Sequence, residues 1–215
     1  MTWRALREAR RYVAAALLVE LALAPLGRLR GRLLLGVALG CLLFFRDPRR
    51  VLEPEPDTLY SPADGVVVEV GGASDEWLPG SEALRVGIFL ALYDVHVTRS
   101  PVTGRIALAE ERRGGFAPAF LRRARENHRK RLAIDDGGRR VVLVQIAGML
   151  ARRISSWAWL GDDVAAGQRI ALIHFGSRVE VLVPAADARP LVRVGERVRA
   201  GVTPILRYEA AAQAA

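Results

Sequence analysis

The chain has 215 residues, of which 51% are hydrophobic and 26% charged, so it can bury a core and is not predominantly disordered. Its 32 basic and 23 acidic residues give a formal charge of +9, which favours an anionic partner, either nucleic acid or an acidic membrane. The single cysteine, Cys41, excludes a disulfide framework and a cysteine-based zinc site.

Two apolar runs lie near the N-terminus, over residues 12–26 and 33–45. Each is shorter than the roughly 20 residues that a membrane-spanning helix requires. Arginines flank both runs, as is typical of segments that contact anionic lipid on the cytoplasmic face. We therefore predict that residues 1–47 form a membrane-associating helical segment, as a shallow hairpin, an interfacial anchor or a short tilted span. Two core helices of a soluble bundle are the alternative.

After a proline-rich linker, residues 48–215 are β-rich. Short apolar runs separated by Gly, Pro and Asp predict strands over 65–70, 84–92, 141–146, 169–173, 179–183 and 204–208. One helix-like stretch is predicted near 118–131. The heptapeptide Gly161-Asp-Asp-Val-Ala-Ala-Gly167 has an echo in Gly195-Glu-Arg-Val-Arg-Ala-Gly201, which indicates two similar hairpins.

These hairpins resemble those of lipoyl- and biotinyl-type domains. We predict a mainly β (α+β) fold, with a lipoyl/biotinyl-like, hairpin-rich β barrel or sandwich after the N-terminal helical segment. A carrier function is disfavoured, because carriers need a modifiable lysine at a hairpin tip. The only lysine, Lys130, is predicted to lie in the arginine-rich helical stretch instead.

Three segments have side chains suited to chemistry. They contain Asp64 in a Ser-Pro-Ala-Asp-Gly turn, His96 at a strand end, and Ser177 after Gly176. Asp, His and Ser from separate loops could form a nucleophilic unit, and a glycine before the serine permits close approach of a ligand or of the backbone. Ordinary turns and a structural histidine remain the alternatives at this point. No P-loop or pair of metal-binding histidines is present, so no metal is expected.

The same segments stand in an order that resembles phosphatidylserine decarboxylases of the short bacterial and archaeal type. The matching pieces, in chain order, are Phe44-Phe-Arg-Asp-Pro48, Ser61-Pro-Ala-Asp-Gly65, His96 with Ser100-Pro-Val-Thr-Gly104, Glu126-Asn127, Val144-Gln-Ile-Ala-Gly148, Ala151-Arg-Arg-Ile154 and Phe175-Gly-Ser-Arg-Val179. The last of these pieces is the most specific.

The resemblance implies a proenzyme that cleaves itself between Gly176 and Ser177. The hydroxyl of Ser177 would attack the preceding carbonyl, and elimination and hydrolysis would leave a covalent pyruvoyl cofactor derived from Ser177. Its ketone would be the electron sink that converts phosphatidylserine to phosphatidylethanolamine and CO2. By the same resemblance Asp64 would support cleavage by orienting a base, and His96 would be catalytic. Arg99 stands where longer members have a second histidine, so either His96 does both jobs or the geometry differs.

The implied partners are phosphatidylserine, an anionic membrane, and the two cleavage fragments as a heterodimer, with further oligomerisation left open. The implied location is the cytoplasmic face of the cell membrane, and residues 116–121, bracketed by arginines, suit an interfacial element or a solvated helix face. An archaetidylserine-type decarboxylase and a non-enzymatic, membrane-tethered lipoyl-like module are the alternative functions. A nucleic-acid partner is disfavoured, because the basic residues are not interleaved with aromatic ones.

Overall fold

The computed structural model describes residues 3–23, 25, 32–115, 117, 122–148 and 153–209. The chain divides into two compact units, Met1–Arg49 and Arg50–Ala215. The interfacial element predicted over 116–121 lies outside the described residues apart from Ala117.

The first unit consists of two helices that pack against each other, α1 (Trp3–Leu23) and α2 (Arg32–Phe44). The carboxylate of Glu20 accepts a hydrogen bond of 3.1 Å from the backbone N–H of Leu34, in the first turn of α2. N–H groups there lack an intrahelical partner and favour a negative charge, which explains the one acid in the first apolar run.

Within the described part of the chain, neither helix has the length and hydropathy required to cross a membrane. The association of residues 1–47 with a membrane therefore stays a prediction.

The second unit is built from strands, with two short 3₁₀ helices at Arg122–Glu126 and Ala185–Asp187. The strands described are β1 (Thr58–Tyr60), β2 (Gly65–Ser74), β3 (Glu82–Leu90), β4 (Val97–Arg99), β5 (Gly104–Arg112), β6 (Arg129–Asp136), β7 (Arg139–Ile146), β8 (Ile154–Ser156), β9 (Asp163–Val164), β10 (Arg169–Ile173), β11 (Ser177–Pro184), β12 (Ala188–Pro190), β13 (Arg197–Val198) and β14 (Pro204–Tyr208).

Eight of these strands form one antiparallel sheet in the order β13-β2-β3-β11-β7-β6-β5-β9, which is curled into a half-barrel. The others form two three-stranded sheets, β1-β14-β12 and β4-β10-β8. The large sheet buries apolar side chains on both faces. Its inner face carries the main core, including Ile88, Leu143 and Val179, and a smaller cluster with Val142 and Leu182 covers the outer face. The prediction of a mainly β protein with N-terminal helices is confirmed at this level.

The prediction of a helix-like stretch near 118–131 is wrong over the second half of that stretch. Of residues 122–131, which the structure describes, Arg122–Glu126 form a short 3₁₀ helix, and Arg129 begins strand β6. Because β6 pairs along its whole length with both β5 and β7, the ladder hydrogen bonds override the helix propensity of Arg and Lys. Lys130 therefore lies on a central strand and not in a helix, which corrects the setting predicted for it.

The chain contains a structural duplication that extends beyond the repeated glycine heptapeptide. A Ser-Pro turn precedes both β2 and β5, and in each turn the serine hydroxyl donates to the carbonyl two residues later, at 2.6 Å for Ser61 and 2.7 Å for Ser100. Strand β2 pairs with β13 and strand β5 pairs with β9, which are the short strands of the two heptapeptides.

The glycines that end the two heptapeptides occupy equivalent places. Gly201 donates its N–H to the Ser61 carbonyl at 2.7 Å, and Gly167 donates to the Ser100 carbonyl at 2.9 Å. Both have a left-handed φ, +62° and +75°, which glycine adopts without steric cost. The second unit thus contains two related halves, each built from a Ser-Pro turn, a long strand and a heptapeptide turn.

Candidate active site

Ser177 is the first residue of β11, where it lies opposite Leu90 of β3. Side chains alternate along a strand, so Ser177 shares the inner face of the sheet with Val179 and Val181. Its side chain is fully buried, and within the described residues its Oγ has no hydrogen-bond partner. Buried hydroxyls are usually paired, so the unpaired Oγ of Ser177 at the predicted cleavage bond requires an explanation.

The two residues before Ser177 form a left-handed turn. Phe175 has φ +45° and Gly176 has φ +66°. Glycine tolerates this conformation, whereas a side chain such as that of Phe175 costs roughly 1–2 kcal/mol there. Backbone strain is therefore concentrated next to the Gly176–Ser177 bond, which is the predicted cleavage site.

His96 holds this turn from one side. Its Nε2 accepts the N–H of Gly176 at 3.2 Å, and its Nδ1 lies 2.9 Å from the carbonyl oxygen of Asp94. A carbonyl can only accept, so these partners assign the proton to Nδ1 and make Nε2 the acceptor of the Gly176 N–H. The His96 carbonyl also accepts the N–H of Ile173 at 3.1 Å, which fixes the ring beside the scissile turn. The fully buried imidazole is thus neutral and is hydrogen-bonded to Gly176, the residue before Ser177.

Gly148 contacts the same turn from the other side, just after the end of β7. A Cβ atom added to Gly148 would lie 1.6 Å from the carbonyl oxygen of Gly176 and 2.7 Å from its carbonyl carbon. Only a hydrogen atom fits between this backbone and the scissile carbonyl. The motif Val144-Gln-Ile-Ala-Gly148 implied no role for its glycine. The close approach to Gly176 gives a physical reason for a glycine at residue 148.

Asp64 lies in a different set of contacts. Its carboxylate receives two hydrogen bonds from Arg50, at 2.5 and 2.7 Å, and one from the N–H of Ala200 at 2.8 Å. In the other half of the duplication Thr103 takes the place of Asp64, and its hydroxyl accepts the N–H of Ala166 at 3.0 Å. The hydrogen bond between Asp64 and Ala200 is therefore a feature of the turn that both halves share. The structure brings His96 and Ser177 to the two sides of Gly176 in the fold, and the Asp64 carboxylate accepts hydrogen bonds from Arg50 and Ala200. The role of Asp64 in cleavage stays a prediction.

Arg99 is tied to the backbone of the turns. It is buried, its guanidinium donates to the Gly167 carbonyl at 2.9 Å, and its N–H donates to the Pro62 carbonyl at 2.8 Å. The other buried histidine near the turn, His174, lies with Nε2 3.1 Å from the hydroxyl of Ser155. The imidazole that accepts the Gly176 N–H is that of His96.

Arg178 anchors β11 on the opposite, outer face of the sheet, one residue after Ser177. Its guanidinium donates to Glu180 at 2.7 Å and to Glu69, and the lack of a side chain at Gly87 makes room for it. Burial raises the pKa of Glu69, but the hydrogen bonds from Arg125 and Arg178 outweigh this effect, so its pKa lies below the ordinary value. The network holds the start of β11 in place independently of the peptide bond that precedes Ser177.

Comparison with known proteins relates these residues to a family. Residues 37–206 match the family model of phosphatidylserine decarboxylase. The chain is 45% identical over 179 residues to the phosphatidylserine decarboxylase proenzyme of Symbiobacterium thermophilum, covering 82% of this chain and 83% of the relative. It is 39% identical over 213 residues to the enzyme of the same name from Azorhizobium caulinodans, covering 95% of this chain and 89% of the relative.

A third relative has a different lipid in its name. The chain is 38% identical over 195 residues to the putative archaetidylserine decarboxylase proenzyme of Methanopyrus kandleri, covering 87% of this chain and 91% of the relative. The match to the family model includes the segments that contain His96, Gly148 and Ser177, and the identities to these relatives extend over most of the chain. The chain therefore belongs to the phosphatidylserine decarboxylase family.

Proposed function

We propose that this chain cleaves itself between Gly176 and Ser177 and that the mature enzyme decarboxylates phosphatidylserine to phosphatidylethanolamine. One observation carries the proposal: the enclosed, unpaired hydroxyl of Ser177 follows a left-handed turn whose Gly176 N–H is bound by His96. Membership of the family supplies the reaction that this arrangement would serve.

Cleavage would begin with transfer of the Ser177 hydroxyl proton to a base, for which our candidate is the Nε2 of His96 after it releases the N–H of Gly176. The Oγ would bond to the Gly176 carbonyl carbon while the amide C–N bond breaks, giving an ester and a free amine. Loss of the Ser177 Cα proton with breakage of the Cβ–Oγ bond would release the upstream chain as a carboxylate. Water would then replace the nitrogen of the dehydroalanine, with release of ammonia, and leave the pyruvoyl group.

The surroundings of Ser177 fit a pyruvoyl group. That group supplies a ketone that takes up electrons as carbon dioxide leaves the substrate. The chain places residue 177 on the apolar inner face beside Leu90 and Val179, which exclude water. The ion pairs of Arg178 keep β11 in register after the preceding bond is broken.

The two fragments would remain together as a heterodimer. Strand β11 follows the cleaved bond, and it pairs with β3 over Ser177–Pro184 and with β7, which both precede that bond. Its backbone hydrogen bonds therefore join residues 177–215 to the upstream fragment. The two related halves of the second unit also support the predicted lipoyl/biotinyl-like β architecture.

The N-terminal helices support attachment to the cytoplasmic face of the membrane. Leucines at several positions of α1 and α2 are exposed, among them Leu18 at 67% and Leu35 at 70%. Exposed arginines lie on the first half of α1, at Arg4, Arg7, Arg10 and Arg11. Apolar burial in the headgroup region combined with attraction of arginine to anionic lipid would give interfacial binding.

The first test is mass spectrometry of the purified protein. We expect one fragment that ends at Gly176 and a second, residues 177–215, with a pyruvoyl N-terminus. The variant Ser177→Ala should remain intact and inactive, because alanine has no nucleophile. Cleavage of that variant at the same bond would overturn the proposal, and an intact wild-type chain would favour the non-enzymatic module.

The second test measures CO2 release from vesicles that contain phosphatidylserine or archaetidylserine. The relative from Methanopyrus kandleri makes archaetidylserine a second candidate substrate, and the two headgroups are identical. Turnover of only the archaeal lipid would change the proposed substrate, whereas turnover of neither by cleaved protein would overturn the proposed activity.

A further inference from the structure

A row of four side chains crosses the inner face of the large sheet next to Ser177. Lys130 of β6 lies opposite Gln145 of β7, which lies opposite Val179 of β11, and Val179 lies opposite Ile88 of β3. Alternation along each strand places Lys130 and Gln145 on the face of the main core, with Leu132 and Leu143 as neighbours two residues along their own strands. Two polar side chains thus project into an otherwise apolar interior.

Gln145 is fully buried, and within the described residues neither its Oε1 nor its Nε2 has a hydrogen-bond partner. Leaving a buried amide unpaired at both ends costs stability, so a partner is expected at some stage of function. Val179, directly opposite Gln145, is two residues from Ser177 on the same face. Diagonal neighbours of this kind have Cα atoms roughly 7–8 Å apart, within reach of a long side chain or a small ligand.

Lys130 is 5% exposed and forms no ion pair with a carboxylate among the described residues. Its Nζ donates to the hydroxyl of Ser156 at 2.6 Å and lies 4.6 Å from the centre of the Trp159 ring. Burial lowers the pKa of Lys130, and the charge of Glu111 only partly opposes this. A buried ammonium without a carboxylate is a site that an anionic ligand would satisfy.

We propose that Lys130 and Gln145 form the subsite that binds the phosphodiester of the substrate headgroup while its amine reaches residue 177. This inference rests on the proposed function. Lys130 is on β6, two strands from β11, so the backbones of β6 and β11 are about 10 Å apart. The side chain of Lys130 extends over part of this distance, and the substrate headgroup would extend over the rest. The phosphodiester supplies the anion for Lys130 and acceptors for the Gln145 amide.

The chemistry of decarboxylation assigns the phosphodiester and not the carboxylate to this subsite. A carboxylate that departs as neutral CO2 loses its charge, so a cation bound to it would stabilise the reactant more than the transition state. The apolar side chains of Ile88, Leu90 and Val179 line the same face and suit the departing carboxylate. The phosphodiester keeps its charge throughout, so Lys130 binds it equally well at every stage.

The experiment compares Lys130→Met, Lys130→Arg and Gln145→Leu with the wild-type, self-cleaved enzyme. Arg193→Met, at an exposed position, is the matched control for loss of one positive charge. Cleavage is followed on denaturing gels, and KM and kcat are measured on phosphatidylserine in mixed micelles. Inhibition is measured with glycerophosphoserine, inorganic phosphate and free serine.

We expect cleavage to persist in all variants, because within the described residues neither Lys130 nor Gln145 has a hydrogen bond to the turn at Phe175 and Gly176. KM should rise about 10- to 100-fold in Lys130→Met and Gln145→Leu, as for loss of a hydrogen bond to a charged group, with a smaller change in kcat. Lys130→Arg should recover part of the loss. Glycerophosphoserine should inhibit the wild type better than phosphate or serine, and Lys130→Met should lose that preference.

Thermal unfolding separates this role from a structural one. The buried amide of Gln145 is unpaired, so Gln145→Leu should leave stability unchanged or raise it, whereas Lys130→Met also loses the hydrogen bond to Ser156. A higher KM without a lower Tm in Gln145→Leu therefore supports the subsite. KM values within about twofold of wild type in both Lys130→Met and Gln145→Leu would overturn it. If Lys130→Met fails to fold, Gln145→Leu decides alone. A wild-type enzyme that cleaves but releases no CO2 would instead overturn the proposed function.

Discussion

The contact between Gly148 and the scissile carbonyl predicts that Gly148→Ala blocks self-cleavage. The added Cβ would lie 1.6 Å from the Gly176 carbonyl oxygen. The closest ordinary contact between carbon and oxygen is about 3.3 Å, so the carbonyl or the end of β7 must move by on the order of 1.7 Å. Displacement of reacting atoms by about 1 Å costs roughly 100-fold in rate, so cleavage should slow by at least that factor.

The same substitution should not unfold the protein. Overpacking of this kind costs about 1–3 kcal/mol, which is smaller than the roughly 5–15 kcal/mol that stabilises an ordinary domain. The assay follows conversion of the purified chain to its two fragments by intact mass over time, and circular dichroism reports the fold. Gly72→Ala is the matched control, because its added Cβ meets nothing within 4 Å. Cleavage of Gly148→Ala at the rate of Gly72→Ala would refute the reasoning.

Three further predictions concern the other parts of the site and the N-terminal unit. His96→Gln should slow cleavage by about 10²–10⁴-fold, because the amide cannot act as a base; a time course within a few-fold of wild type would move the base elsewhere. Asp64→Thr, which copies Thr103, should keep the hydrogen bond from the Ala200 N–H but lose both hydrogen bonds from Arg50, so we expect a lower Tm and slower cleavage; cleavage at the wild-type rate in the folded variant would limit Asp64 to a structural role. Deletion of residues 1–49 should leave self-cleavage intact but abolish salt-resistant sedimentation with anionic vesicles; retained sedimentation would place the anchor in the β unit.

Local sequence patterns predicted the strands that alternate or are apolar throughout and end at turn residues. The predictions over 169–173 and 204–208 coincide with β10 and β14, and the strand predicted over 65–70 is the first part of β2. Strand β5 was missed, because Arg105, Glu110, Glu111 and Arg112 give it the composition of a solvated segment. It is a strand because β6 and β9 pair with its two edges, and this pairing is decided by tertiary structure.

A further signal for the architecture lies in the two Ser-Pro turns of the sequence. Ser61-Pro-Ala-Asp-Gly65 and Ser100-Pro-Val-Thr-Gly104 share serine, proline and glycine at the same spacing, in the same order relative to the two heptapeptides. Together they indicate a duplication of turn, strand and hairpin. The matching hydrogen bonds of Asp64 and Thr103 show that the two turns are also built alike.

The sequence by itself determined which residues belong to the family motifs, including His96, Gly148, Gly176 and Ser177, because each motif is a short stretch of neighbours. Only the tertiary structure decided which of them meet. The backbone of Gly148 lies against the carbonyl of Gly176, Asp64 pairs with Arg50, and Lys130 lies opposite Gln145 on the strands next to β11. Side-chain direction along a strand follows a local period of two, whereas the partner opposite each residue depends on a register between segments distant in the chain.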